Sequence, residues 1–417
     1  MKLKILLFSI LTIVSPIVAG ATDTPETPDI KPLTLDATSE GLPVVSNDSI
    51  QLISGNEEIT VDSIAPQKLN IVQKVINYFN NTNKPKSEKK LDFSFIGGPA
   101  YANDTKLSVG ILGAALYKSI PFDSLTPQSN ATLYSEFSIT GFYLVGIKGD
   151  HIGPKDNYRV NYKVYFESFP NKFWGIGYDD GRNDANETKY LQLSASLHAS
   201  FQWRLARGLY LGPSVDFSYV KASRADDYVL WRGEDLRTLN YGLGFDLSYD
   251  TRDVITNSYS GVYVLFQQRF YPRFLKNHYA FSSSEFTFNY YHKAWKGAVF
   301  AGQVHGTITY GNTPWSQLPS LGGSRCMRGY YEGRYRDKCE ADITLELRQH
   351  IYRRSSAVAW IGAGSIAPKP SEFTMRHLLP NFGVGYRWEF KKRMNVRLDV
   401  GFGKGERGFV FNINEAF

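Results

Sequence analysis

The sequence predicts an all-β fold: a transmembrane antiparallel β-barrel of about sixteen strands, with an N-terminal signal peptide and a short periplasmic extension. Three observations carry this reading. Residues 191–203 alternate without a break. Leu191, Leu193, Ala195, Leu197, Ala199, Phe201 and Trp203 are apolar, and the residues between them are Gln, Ser or His. A period of two gives a strand two different environments. The run is long enough to cross a bilayer, which takes roughly 9–11 tilted residues, whereas soluble strands have about 5–6. Second, the alternation returns at 241–249, 342–348, 381–390 and 396–402, each time with one apolar face and one face of charge, amide or glycine. A soluble β-sandwich also alternates, but with shorter strands whose polar face meets bulk water. Third, the only long apolar run is at the start of the chain.

That run defines the first element. Met1-Lys2-Leu3-Lys4 is basic, residues 5–19 are mostly apolar, and Ala19-Gly20-Ala21 supplies small residues for cleavage. Residues 1–21 therefore read as a secretory signal peptide. No cysteine lies near the cleavage site, which excludes a lipoprotein. An exported β-periodic chain without a stop-transfer helix belongs in a Gram-negative outer membrane. Residues 22–90 form the periplasmic extension. Its first part is rich in Thr, Pro, Asp and Ser and is expected to be extended and largely disordered. Over 66–79 the spacing predicts a short amphipathic helix, with Pro66 in its first turn and Leu69, Val72, Val75, Ile76 and Phe79 on one stripe. The polar run 80–90 is a linker. Residues 91–417 are the barrel, with 179–184 and 312–323 as longer external loops. Gly97-Gly98-Pro99 is expected to interrupt the first strand, since proline cannot donate to a ladder.

Composition narrows the function classes. The net charge is +7, but Lys and Arg are dispersed through strands and turns, without the basic stripe that nucleic acid requires. They read as lumen lining and headgroup contacts, so the expected partner is outer-membrane lipid and not nucleic acid. Aromatic residues make up 15%, which suits the two bilayer interfaces. The seven histidines form no His-Glu-x-x-His and no zinc-spaced cluster, and no Gly-x-Ser-x-Gly or Walker loop occurs. No catalytic residue, cofactor or metal is expected. Cys326 and Cys339 are separated by twelve residues in an exported chain. They are expected to form a disulfide, with two free thiols as the alternative.

The segment Gly322-Gly323-Ser324-Arg325-Cys326-Met327-Arg328-Gly329-Tyr330 resembles the signature loop of the BamA/TamA superfamily, which includes the bacterial surface antigen proteins. Arg328, Gly329 and Tyr330 match its Arg-Gly-Phe/Tyr triplet. Glu346-Leu347-Arg348 follows at the family's spacing, Tyr249 to Asp253 with Ser260-Gly261 resembles its mid-barrel strand–turn–strand, and the end of the chain looks like its last two strands with a terminal Phe417. The resemblance covers roughly 91–417. It implies a lumenal loop and a role in outer-membrane protein assembly, insertion or translocation. Other outer-membrane or periplasmic proteins are then implied partners.

Two departures stand out. Residues 22–90 lack the strand–helix alternation of the family's periplasmic POTRA modules. Gly362 in Trp360-Ile361-Gly362-Ala363-Gly364 stands where many members carry the aspartate that binds the loop arginine. An arginine inside a barrel needs a carboxylate. Glu346 shares the polar face with Asp342 and Arg348 and is the expected main partner of Arg328, with Asp399 second. Gly329 allows a tight turn, and Tyr330 is expected to pack on the wall with its hydroxyl bonded. A passive or gated channel, and an interaction barrel docking a periplasmic partner, are the alternative functions.

Overall fold

A computed structural model of the chain describes residues 91–102, 106–120 and 126–417, together with Asn70, Gln73, Lys74, Asn77 and Asn81. The signal peptide, its cleavage site and the apolar stripe of the expected helix lie outside the described residues. Gln73, Lys74, Asn77 and Asn81 are helical, and Asn70 is not. The Asn70 N–H donates to Gln73 Oε1 at 3.0 Å, and the Lys74 N–H donates to Asn70 O at 2.9 Å. The first bond is a side-chain cap and the second a helical backbone bond, and the expected start at Pro66 lies outside the described residues.

Sixteen strands follow among the described residues, in one antiparallel sheet hydrogen-bonded in chain order. They are β1 (Leu91–Ala102), β2 (Lys106–Tyr117), β3 (Ser129–Ser138), β4 (Tyr143–Ile152), β5 (Tyr158–Phe173) and β6 (Thr188–Ala206). Next come β7 (Leu209–Ser223), β8 (Arg237–Asp250), β9 (Gly261–Tyr271), β10 (Phe281–Lys293) and β11 (Ala298–Gly311). The last five are β12 (Cys339–Tyr352), β13 (Ser355–Ala367), β14 (Leu379–Lys391), β15 (Met394–Phe402) and β16 (Arg407–Ile413). The sheet is inverted relative to a soluble one. On β12, Glu340, Asp342, Thr344, Glu346 and Arg348 are buried, while Ala341, Ile343 and Leu345 are exposed. On β8, Asp246, Ser248 and Asp250 are buried between exposed Phe245, Leu247 and Tyr249. Polar side chains fill the interior and apolar ones face out, as lipid requires.

The connections differ at the two ends. Strands β6–β7, β12–β13 and β14–β15 are joined by two-residue turns, with left-handed residues at Gly208, Arg353 and Arg393. The other end carries the long loops 174–187, 224–236, 272–280, 312–338 and 368–378. Outer-membrane barrels keep short turns on the periplasmic side and long loops outside. Strands β5, β6 and β7 have 16, 19 and 15 residues, more than a bilayer needs. Their outer ends support an aromatic lid in which Phe173, Tyr190, Trp231 and Trp315 are buried together.

Strand β1 runs through Gly97-Gly98-Pro99 without a shift of register, and Pro99 lies opposite Val109. The expected interruption is absent because β1 is an edge strand, where a missing donor is tolerated. Among the described residues no ladder joins β1 to β16. Ala114 and Leu116 of β2, Met394 of β15 and Ile413 of β16 nevertheless share one buried cluster. The sheet therefore curls back on itself.

Candidate functional site

The loop 312–338 enters the lumen from the long-loop end as a folded-back finger. Leu321 N–H donates to Tyr335 O at 2.9 Å, and Gly323 N–H donates to Tyr330 O at 3.2 Å. Leu321, Met327, Tyr330 and Tyr335 form a buried cluster with Tyr178, Ile366 of β13 and Leu379 of β14. The finger thus brings its own apolar side to an otherwise polar wall, and this packing fixes where its tip lies.

Arg328 is at the tip and is 1% exposed. Its Nη2 donates to Glu346 Oε2 of β12 at 2.5 Å, and its Nη1 donates to Asp399 Oδ2 of β15 at 2.7 Å. The guanidinium lies 3.7 Å from the centre of the Trp360 ring on β13. Its backbone carbonyl accepts from Asn381 Nδ2 of β14 at 3.1 Å. Four consecutive strands thus hold one residue. Gly329 follows with φ +119°, and a Cβ there would stand 2.7 Å from Phe402 N and 2.8 Å from Gly401 C. Both the dihedral and the contact with β15 demand glycine. The Tyr330 hydroxyl donates to Pro380 O at 2.7 Å and accepts from Lys404 N–H at 2.8 Å.

The charges continue beyond the tip. Arg348 Nε donates to Glu346 Oε1 at 2.7 Å, and Arg387 Nη1 donates to Asp399 Oδ1 at 2.5 Å. Arg387 Nε also donates to Glu415 Oε2 at 2.7 Å, and Arg397 Nη1 lies 3.6 Å from Asp399. The residues after β16 turn inward. Arg348 Nη2 donates to Phe417 O at 3.0 Å and stacks over the Phe417 ring at 5.5 Å. The loop from one end and the tail from the other meet on four guanidiniums and three carboxylates. Arg328, Arg348 and Arg387 are each hydrogen-bonded to a carboxylate, which is the condition for keeping them out of water, whereas Arg397 has buried nitrogens without a hydrogen bond.

Arg328, Gly329, Tyr330, Glu346 and Asp399 are brought together as a latch. The expectation that Glu346 is the main partner is corrected: Glu346 and Asp399 share the guanidinium. The second carboxylate comes from β15, not β13. A Cβ on Gly362 would stand 2.4 Å from Asn381 Oδ1 and 2.7 Å from Ile343 O. The glycine therefore leaves room for the asparagine that holds the Arg328 carbonyl. Sequence reasoning did not single out Trp360, Asn381, Arg387, Arg397 or Glu415. Alternation put Arg387 and Arg397 on polar faces, but no period reaches Glu415 beyond the last strand.

The expected disulfide is not formed: Cys326 and Cys339 are both free thiols. Cys339 has the parity of the outward residues Ala341 and Ile343, whereas Cys326 lies in the lumen. Cys326 Sγ is 3.8 Å from Gln303 Oε1, and Gln303 pairs with Thr344, five residues along β12 from Cys339. Opposite faces and this offset keep the sulfurs apart. The Cys326 thiol faces His305 and Asp342 instead, the one group of candidate metal ligands among the described residues. Desolvation and the Asp342 carboxylate push this thiol above its ordinary value.

A family model for the Omp85 superfamily domain matches residues 152–417. Among solved structures, the chain is similar to BamA from Haemophilus ducreyi lacking POTRA domains 1–3. The identity is 11% and the TM-score 0.50, over 77% of this chain and 70% of that one. It is also similar to CdiB from Escherichia coli, at 10% identity and a TM-score of 0.51 over 78% of this chain. It spans 60% of that CdiB chain. No curated protein sequence matches it.

Proposed function

The chain belongs to the Omp85 superfamily, and on that premise we propose that it acts in the outer membrane in the assembly, insertion or translocation of other proteins. Residues 1–21 export it, and residues 22–90 form its periplasmic extension. The observation that carries this reading is the latch, which fills the lumen beside β16, the strand that no ladder joins to β1 among the described residues. A strand edge of this kind presents a row of N–H and C=O groups to which an extended client segment can add. A cavity of about 560 Å³ is lined by Arg407 to Phe411 of β16 and by Gly323, Tyr330 and Glu332 of the finger. Loop and strand edge therefore share a surface, so movement of one is felt at the other.

A passive channel fits less well, because finger and tail occupy the lumen from both ends. The test is a photo-crosslinking side chain at Val410 in growing cells. Adducts with newly exported outer-membrane or secreted proteins are expected. A steady single-channel conductance in the wild type, with no protein adduct, would overturn the proposal in favour of a channel.

A further inference from the structure

We propose that His305, Cys326 and Asp342, supported by Glu340, form a binding site for a borderline-soft divalent cation of the zinc type, which pins the finger to the barrel wall. The side chains come from three separate segments, so no spacing motif announces them. His305 on β11 lies directly across the ladder from Asp342 on β12. Cys326 comes from the finger, two residues before Arg328. One ligand atom from each of the three lies within 4.8 Å of the others. His305 Nδ1 is 3.1 Å from both Glu340 Oε1 and Asp342 Oδ2. Ligands bonded at about 2.0–2.3 Å to one zinc stand at similar separations from each other.

A second observation points to a cation. The Asp342 side chain is 0% exposed, yet its Oδ1 has no hydrogen-bond partner. A buried carboxylate oxygen without a donor is costly. The local charge has the same sense. Glu340, Asp342 and Glu285, the last at 3.5 Å from His305 Nε2, converge on one imidazole. Arg269 is 3.1 Å from Glu285 but also serves Asp216. Arg325 adds a further positive charge near Glu285 and Asp342. Thiolate, imidazole and carboxylate together select zinc over calcium or magnesium, which take oxygen ligands.

The consequence is mechanical. A bound ion would join the finger to β11 and β12, and would do so reversibly. The test uses the full-length protein in detergent, stripped with a chelator and titrated with Zn²⁺ against a chromophoric competitor. One ion per chain is expected, together with slower protease cleavage within 312–338. Cys326→Ser and Asp342→Asn should each weaken binding by at least about tenfold, and Cys339→Ser should not. Heat-modifiable migration on gels shows which variants have folded. Co²⁺ bound to the unmutated protein should show a thiolate charge-transfer band, which keeps the test informative if a variant fails to fold. Substoichiometric Zn²⁺, unchanged affinity in folded Cys326→Ser, or Co²⁺ binding without that band would each overturn the site.

Discussion

Arg328 has two carboxylates and an aromatic face, and this redundancy sets what each substitution does. Removing one partner of a buried pair costs about 3–5 kcal/mol when desolvation is complete and less beside water. Glu346→Gln leaves the Asp399 contact intact, so its effect should be smaller than that of Arg328→Ala. Glu346→Gln with Asp399→Asn should approach Arg328→Ala. Adding Arg328→Ala to that pair should change the cleavage rate little, because both carboxylate contacts of the guanidinium are already lost. Protease cleavage rates within 312–338 give the comparison, and strictly additive effects would mean that the guanidinium is held elsewhere. Gly329→Ala should release the tip more than Arg328→Lys does, because its Cβ meets β15 backbone and not a movable side chain. Cleavage no faster than wild type in folded Gly329→Ala would contradict this. Much of this site was legible before the fold was known. Arg328 came from a loop motif, and Glu346 and Asp399 came from strand parity. Trp360 was not legible, since an indole among glycines reads as an interface residue. Asn381 was not either, because its task, holding a loop carbonyl, depends on a contact between distant segments.

At the level of elements, parity was the reliable signal. It marked the lumen faces of β8, β12, β14 and β15, because a barrel with lipid outside leaves no ambiguity about which face is buried. Interruptions were less legible. Proline was expected to break β1, but an edge strand has a side on which a donor is not needed. The cysteines were paired from their spacing in an exported chain, although strand parity puts them on opposite faces of the wall. The tail after β16 was beyond any periodic reading, yet Glu415 bonds to both Arg387 and Asn395, the latter at 2.6 Å. Glu415→Gln should therefore loosen the inner end of the charge network without freeing the finger. Hydrogen exchange is the measurement: faster exchange is expected at β15–β16, with protection in 320–335 unchanged. Equal loosening of both regions would show that tail and latch are one unit.

For the molecule as a whole, the contacts described for the sheet and the finger all lie within residues 91–417. Deleting residues 22–90 while keeping the export signal should leave a heat-modifiable barrel in the membrane fraction. Gel mobility with and without boiling checks this, and loss of the folded form despite export would make the extension part of the barrel's folding core. Long-range pairing dominates this topology, which makes its assembly slow relative to local structure.

The position of the latch fixes an order of events in folding. Arg328 belongs to the loop before β12, and its whole seat is built later in the chain, the last of it from Asn381, Asp399 and Gly401. The finger cannot close until the β14–β15 hairpin is in place, and Phe417 cannot reach Arg348 until β16 has been laid down. Closing the latch is therefore a late step, available only to a chain that has completed its last strands. A barrel stalled one hairpin short would carry a loose, cleavable finger, and cells could tell finished copies from unfinished ones by that difference.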